Sequence, residues 1–261
     1  VFGDVNSTLA TALTAKKMGI KIAHVEAGLR CYDDSLPEEV NRRVTDSISD
    51  YFFIPSSLEE ENLNKENIFE NIFFVGNIMI DSLKLILKNK TKETKKRFDF
   101  GLVTIHRPEN VDNKIQLSNI MDSLSEISNS TSLIFSMHPR TKKFLKEFKL
   151  IKNISIKKNI KIFDSLGYID FLSYLKRAKF VITDSGGVQE ESSYLGIPCF
   201  TLRRNTERPI TITRGTNKIV SLENIMKEVR ICEKKKVSID KWDGNTAKRI
   251  VRILKKLMKD F

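Results

Sequence analysis

The stretch Thr183–Leu202, TDSGGVQEESSYLGIPCFTL, decides the fold. An apolar run, KFVI at 179–182, leads into a Ser-Gly-Gly turn, and a helical pattern follows at once with Gln189, Glu190 and Glu191. A strand that ends in two glycines and opens a helix is built to hold an anion. The free N–H groups of the first helical turn and the helix dipole both point at it. Two carboxylates beside such a turn need a separate explanation.

Outward from this stretch the same strand and helix alternation repeats. At the N-terminal side, VFGD, NSTLATALTAKKMG and IKIAHVEA read as strand, helix and strand, with Asn6 or Ser7 as the helix cap and Gly19 as its stop. Val1 and Phe2 read as the tail of a buried strand whose upstream neighbours are absent. PEEVNRRVTDSISD reads as a helix with Pro37 in its first turn and Val40, Val44 and Ile48 on one face. YFFIPS and NIFFVGN are short apolar runs that fit buried parallel strands. A second series opens with FGLVTIHRPEN and runs through SLIFSMH, IKIFD and KFVITD, each followed by a helical pattern. The chain is therefore expected to be α/β, with two doubly wound parallel sheets. The expected division is a partial first domain at 1–90, a second at 91–243, and a C-terminal amphipathic helix at 244–261 packing back across the first.

Composition narrows the function. The 261 residues are 40% hydrophobic, enough for a core, and no window approaches the ~18 uninterrupted apolar residues of a membrane span. Cys31, Cys199 and Cys232 are odd in number and lack metal-ligand spacing, so they read as reduced thiols of a cytoplasmic protein. The formal charge of +12 comes from 45 Lys and Arg against 33 Asp and Glu. Much of it is local: 84–97 holds seven basic residues and one acid, and 233–261 holds ten and four. Both stretches read as solvated helix faces with few aromatics between the charges, so neither nucleic acid nor membrane is an expected partner.

In an open α/β sheet, ligands bind beyond the C-terminal ends of the strands. Polar residues recur there: Asp4, Glu26, His106 with Arg107, His138 with Arg140, and Asp184 with Ser185. Five strand ends are expected to converge on one cleft. Asp4 and Ser185 read equally well as helix caps. Glu26 is harder to dismiss, because a carboxylate at the end of an apolar strand is costly to bury without a partner. His24 points to the same side and reads equally as a structural histidine. RRNTERP at 203–209 crowds three arginines around Glu207, either as a solvated ion cluster or as a clamp on a diphosphate.

GDVNST at 3–8, HVEAGLR at 24–30, PEEVNR at 37–42, TIHRPEN at 104–110, TDSGGVQEE at 183–191, GIP at 196–198, TERP at 206–209 and DGNTAKRI at 243–250 stand in one order along the chain. In this the sequence resembles the non-hydrolysing UDP-N-acetylglucosamine 2-epimerases from its first residue to its last. Three features depart from the family pattern: an opening half-domain is absent, the loop from Arg30 to Pro37 is short, and Ile210 follows TERP where an acid is common.

The resemblance implies two Rossmann-like domains of GT-B type, the first N-terminally truncated, and a homodimer. It implies reversible inversion at C2 of UDP-N-acetylglucosamine to UDP-N-acetylmannosamine, through departure and re-addition of UDP. A chain that binds UDP or a UDP-sugar but catalyses weakly is the alternative. The catalytic set it implies is Asp4, Glu26, Glu38 and His106, with Glu38 preferred to Glu39 because it directly follows Pro37. Arg42 and Arg107 would stand near the leaving group, with His138, Arg140 and Arg208 also on the substrate. Ser185, Gly186 and Gly187 would meet the diphosphate, Glu191 the ribose hydroxyls, and the backbone of Phe171 the uracil. This explains the carboxylate beside the turn: anion and sugar are read by adjacent parts of one motif. No metal or cofactor is implied, since no hydride leaves and the sequence holds no ligand cluster.

Overall fold

The computed structural model describes residues 1–90, 99–151 and 158–258. The lysine-rich run at 84–97 lies outside the described residues from 91 onward, as does the end of the C-terminal run from 259. The chain divides into two compact units. The first holds Val1–Leu85, Thr206–Ile210 and Ser238–Phe261, and the second Ile86–Asn205 and Thr211–Val237. The first break thus falls a few residues before the expected position near 90, and the short segment 206–210 belongs with the first unit.

The first unit is built on three parallel strands, β1 (Ala23–Val25), β2 (Tyr51–Ile54) and β3 (Ile72–Phe74), hydrogen-bonded in that order. Side chains of β2 alternate between two faces, as the pleat requires. Phe53 packs with Val25, Val75 and Ile250, the last on the helix Thr246–Leu257. Phe52 and Ile54 pack with Ala27 and with Leu63 of the helix Leu58–Lys65. The sheet is thus covered on both faces, the reason its strands are apolar throughout.

Two expectations for this unit are corrected. The helix Asn6–Lys17 has Val5 at its N-cap and no side-chain cap, so neither Asn6 nor Ser7 serves as one. Val1–Gly3 runs parallel to β1, with Val25 N–H donating to the Val1 carbonyl and Gly3 N–H to the Val25 carbonyl at 3.0 Å each, but the Phe2 side chain is 63% exposed rather than buried. A third result concerns the helix Pro37–Ile48, whose apolar face is turned outward, with Val40 44% and Val44 38% exposed. Its buried face is polar: Glu39, Asn41, Arg42, Thr45 and Asp46. Hydrophobic periodicity could not show this, because the inward positions are set by charge pairing.

The C-terminal segment is fastened to the first unit by directional contacts. Thr246 and Ala247 donate their N–H groups to Asp81 at 3.1 and 2.8 Å, placing a carboxylate at the positive end of the last helix. The Lys241 ammonium lies 4.0 Å from the Phe74 ring centroid, and the Trp242 indole N–H donates to the Pro55 carbonyl at 3.3 Å.

The second unit is a six-stranded parallel sheet of β4 (Phe100–Thr104), β5 (Ser132–Met137), β6 (Ile160–Asp164), β7 (Phe180–Thr183), β8 (Cys199–Thr201) and β9 (Asn217–Ile219). Their spatial order is β6-β5-β4-β7-β8-β9, so the winding reverses between β4 and β7. That order is the doubly wound dinucleotide-type arrangement, and the reversal is where such sheets take ligands. The helix Lys114–Ile127 lays Leu117, Ile120, Met121 and Leu124 over Val103, Phe135 and Ile182, an i, i+3, i+4, i+7 stripe on the sheet. Each such side chain contributes roughly 1.5–3 kcal/mol on burial. No described helix is long and apolar enough to cross a membrane.

Gly76 has φ +93, and a Cβ there would lie 2.1 Å from the Lys241 carbonyl oxygen, whereas Gly19 has φ +73 and open space around it. Gly19→Ala should therefore cost about 1–2 kcal/mol from backbone handedness alone. Gly76→Ala adds a backbone clash that can be relieved only by lifting the C-terminal segment, and should cost at least twice as much. Urea unfolding of the two variants checks the order, and equal losses would show that the segment is not anchored there.

Candidate active site

In the first unit the charged strand ends form one cluster. β1 ends at Val25, and Glu26 follows with φ 72, a left-handed conformation that a non-glycine side chain adopts at a cost. Its N–H donates to the Phe53 carbonyl at 3.1 Å, which holds the turn against β2. Its Oε1 is buried and accepts no hydrogen bond among the described residues, with the Arg208 guanidinium 3.7 Å away. Burial pushes the Glu26 carboxyl above its ordinary range, the Arg208 charge opposes this, and the Asp4 charge adds to it.

Asp4 is not a helix cap. Its Oδ2 accepts from Arg42 Nη2 at 2.5 Å, while its carbonyl accepts from the Asn41 amide at 2.9 Å. The second arm of Arg42 donates to Glu39 at 2.7 Å. Glu39 is fully buried and also accepts from the N–H groups of Cys31 and Tyr32. Glu39 is thereby occupied in holding the 31–32 turn, where Tyr32 has φ 56. Glu38, the carboxylate singled out from sequence, sits half-buried at the start of the same helix. Arg208, expected on a diphosphate, lies beside Glu26 and is ion-paired with its neighbour Glu207.

The second unit brings the other candidates to the point where its winding reverses. Asp184, directly after β7, accepts from the N–H groups of His106 and Arg107 at 2.9 and 2.8 Å and from the Asn110 amide at 3.0 Å. The His106 ring Nδ1 stands 3.1 Å from the same carboxylate. Burial works against ionisation of Asp184, but these partners outweigh it and hold the carboxyl below its ordinary range. Asp184 therefore locks the end of β4 to the end of β7 and leaves the far nitrogen of His106 facing outward. The His106 and His138 rings lie 5.0 Å apart, and His138 Nδ1 accepts from the Arg140 N–H at 3.1 Å, capping the helix Pro139–Glu147. Burial and the His106 charge keep His138 below its usual range. Arg140 is paired with Asp112.

The helix after β7 begins at Gly186, three residues earlier than the sequence pattern indicated, with Ser185 at its N-cap and no side-chain cap bond. Gly186 and Gly187 thus fall in the first turn, where unbonded N–H groups point outward, and Glu190 and Glu191 follow in the second. A Cβ on Gly187 would meet nothing within 4 Å, so the approach to this helix end is open. Glu191 accepts from the Tyr168 hydroxyl at 2.7 Å. Burial raises its carboxyl to about 7, with the Tyr168 bond opposing. Phe171 is buried, and its N–H donates to the Gly167 carbonyl at 2.9 Å in the first turn of the helix Tyr168–Arg177.

Glu39, Glu207 and Tyr168 are partners that strand-end reasoning did not select. In sequence, Glu39 and Glu207 stand directly beside Glu38 and Arg208, and Tyr168 lies three residues before Phe171.

Residues 1–255 match the family model described as UDP-N-acetylglucosamine 2-epimerase. A UDP-N-acetylglucosamine 2-epimerase of Methanocaldococcus jannaschii is 47% identical over 273 residues, covering 97% of this chain and 74% of that protein. The crystal structure of a Methanocaldococcus jannaschii UDP-GlcNAc 2-epimerase in complex with UDP-GlcNAc and UDP superposes with TM-score 0.90 at 46% identity, covering 98% of this chain and 75% of that one. A UDP-2,3-diacetamido-2,3-dideoxy-D-glucuronate 2-epimerase of Pseudomonas aeruginosa is 36% identical over 98% of this chain and 74% of its own length. With the motif residues seated at these strand ends and helix starts, the chain belongs to the UDP-N-acetylglucosamine 2-epimerase family.

Proposed function

We propose that the protein inverts C2 of UDP-N-acetylglucosamine reversibly, giving UDP-N-acetylmannosamine, by elimination and re-addition of UDP. The observation that carries the reading is Glu26: a buried carboxylate with one oxygen that accepts no hydrogen bond among the described residues, held at a left-handed strand end beside Arg208 and near Asp4. The C2 proton has no adjacent carbonyl to acidify it, so a carboxylate cannot remove it from the intact sugar near neutral pH. When the C1–O bond breaks, its electron pair leaves with the diphosphate oxygen and positive charge develops on the ring. The C2–H then becomes acidic, a carboxylate takes the proton, and the C–H electrons form the C1–C2 double bond of 2-acetamidoglucal. Re-addition returns a proton to C2 from the other face and the UDP oxygen to C1. No oxidant or reductant enters the balance.

Carboxylates must therefore be available to both faces of C2, and cations to the leaving diphosphate. Asp4, Glu26 and Glu38 fill the first role in this reading, with Arg42 holding Asp4 in place. His106 and Arg107 serve the leaving group, the outward nitrogen of His106 being suited to donate a proton or hydrogen bond. Ser185 and the open N–H groups of Gly186 and Gly187 hold phosphate oxygens, with His138, Arg140 and Arg208 completing the substrate contacts. Glu191 accepts the ribose hydroxyls in place of Tyr168, and the uracil lies against the backbone near Phe171. A homodimer, as expected of the family, belongs to the same reading.

Two measurements test it. In heavy water, UDP-N-acetylglucosamine should acquire deuterium at C2, and Glu26→Gln should slow the exchange by on the order of 10²-fold or more. Exchange persisting in the variant removes Glu26 from the chemistry.

UDP affinity should also depend on pH through Glu191. The free site takes up a proton as pH falls through about 7, whereas accepting two hydroxyls requires the carboxylate. Affinity should therefore be greatest above pH 7 and fall about tenfold per unit well below it. Removing the Tyr168 hydroxyl deletes a bond that favours the carboxylate, so Tyr168→Phe should move this limb to higher pH. Calorimetric titration with UDP between pH 5.5 and 8.5 reads both effects, and a flat profile would assign the ribose to another residue.

A further inference from the structure

Behind Glu26 lies a second set of charges that the chemistry above does not use. His24, the middle residue of β1, is fully buried. Its Nδ1 lies 2.6 Å from Asp46 Oδ1 and its Nε2 lies 2.9 Å from the Gly3 carbonyl oxygen. A carbonyl can only accept, so Nε2 carries a proton. Asp46 is also fully buried, and its other oxygen accepts from the Gly28 N–H at 3.0 Å and lies 2.8 Å from Arg30 Nη1. Burial opposes the charge on Asp46, but His24 and Arg30 together hold it well below the ordinary carboxylate range. Facing a carboxylate, Nδ1 must donate as well. His24 is therefore an imidazolium with both donors used inside the protein.

The partners it reaches are the residues that flank the reacting carboxylates. Gly3 precedes Asp4, and Gly28 is two residues after Glu26. Gly3, Glu26 and Gly28 are all left-handed, with φ 62, 72 and 80. A Cβ at Gly28 would lie 2.7 Å from the Glu59 carbonyl, so that turn has little room to shift. One ion pair thus ties down both turns from beneath.

We infer that the buried His24–Asp46 pair is a positioning device for the epimerisation, fixing Asp4 and Glu26 relative to one another and setting a doubly hydrogen-bonded imidazolium behind Glu26. This rests on the reaction proposed above. Four charged groups act on Glu26: Arg208 from the 206–210 segment, Arg42 from the helix 37–48, Asp4 from the first loop and His24 from β1. Burial raises the Glu26 carboxyl, the three cations lower it, and Asp4 raises it further. Deleting the His24 charge must therefore raise it again.

His24→Gln keeps a donor for the Gly3 carbonyl and removes the charge. In this variant kcat should fall about tenfold or more, KM should stay within about threefold, and the acid limb of kcat should move to higher pH by about one unit. A loss of rate with the limb unmoved would reduce His24 to packing and overturn the inference. Should this variant fail to fold, the wild-type chain decides the matter by itself. It holds three histidines, so ¹⁵N-histidine labelling, with His106→Gln and His138→Gln for assignment, isolates the His24 ring. Two protonated ring nitrogens at the assay pH support the inference, and one unprotonated nitrogen overturns it. Because this readout needs no turnover, an inactive wild-type chain would sink the proposed reaction, and the positioning role with it, while the ring's charge is still measured.

Discussion

The Asp46 carboxylate is sealed from water, and the turns that follow β1 and precede the first helix are tied to its being fully paired. It meets the His24 ring, the Gly28 N–H and the Arg30 guanidinium, and Arg30 passes the charge on to Glu66. Removing one member of a buried set of this kind costs roughly 3–5 kcal/mol, because the remaining charge is left without a partner in a medium that solvates it poorly. The requirement explains why the helix 37–48 turns a polar face inward and leaves Val40 and Val44 in solvent. Charge pairing outweighs the burial of two valines, each worth at most a few kcal/mol.

The second unit solves a different problem with the same means. At the reversal between β4 and β7 two strand ends diverge, and backbone N–H groups are left without sheet partners. Asp184 takes those of His106 and Arg107. The carboxylate is thereby consumed by the scaffold, whereas a Cβ added at Gly187 in the neighbouring helix start would meet nothing within 4 Å. Glu191, one turn further along the same helix, accepts a hydrogen bond from the Tyr168 phenol among the described residues. With so few donors, burial dominates and its carboxyl is raised to about 7.

The two units therefore contain carboxylates of opposite character. Glu39, Asp46 and Asp184 are saturated with donors and serve as fixed struts. Glu26 and Glu191 are buried with few donors, and both are raised above the ordinary carboxylate range. A buried acid with few donors is costly for a purely structural role, which would favour a complete set of partners or an apolar side chain.

Much of this was legible in the sequence. Alternating apolar runs and helical patterns point to parallel α/β sheets, and the glycine pair after β7 reads as the open start of a helix. The motif residues Asp4, Glu26, His106 and Ser185 stand out because polar groups at the ends of buried strands need a reason. Other features depended on contacts distant in sequence. The choice of struts, with Glu39 inside and Val40 outside, is set by Arg42, Cys31 and Tyr32, and no local period encodes those partners. The helix at 186 begins before its apolar pattern does, because its first turn is glycine and carries no side-chain signal. Residues 206–210 and 238–261 join the first unit, the C-terminal segment through Asp81, Phe74 and Pro55 more than 150 residues away and Arg208 through Glu26. Sequence determined which residue types sit at strand ends; only the tertiary structure decided which of those charges are saturated and which keep few donors, because saturation depends on donors brought from remote segments.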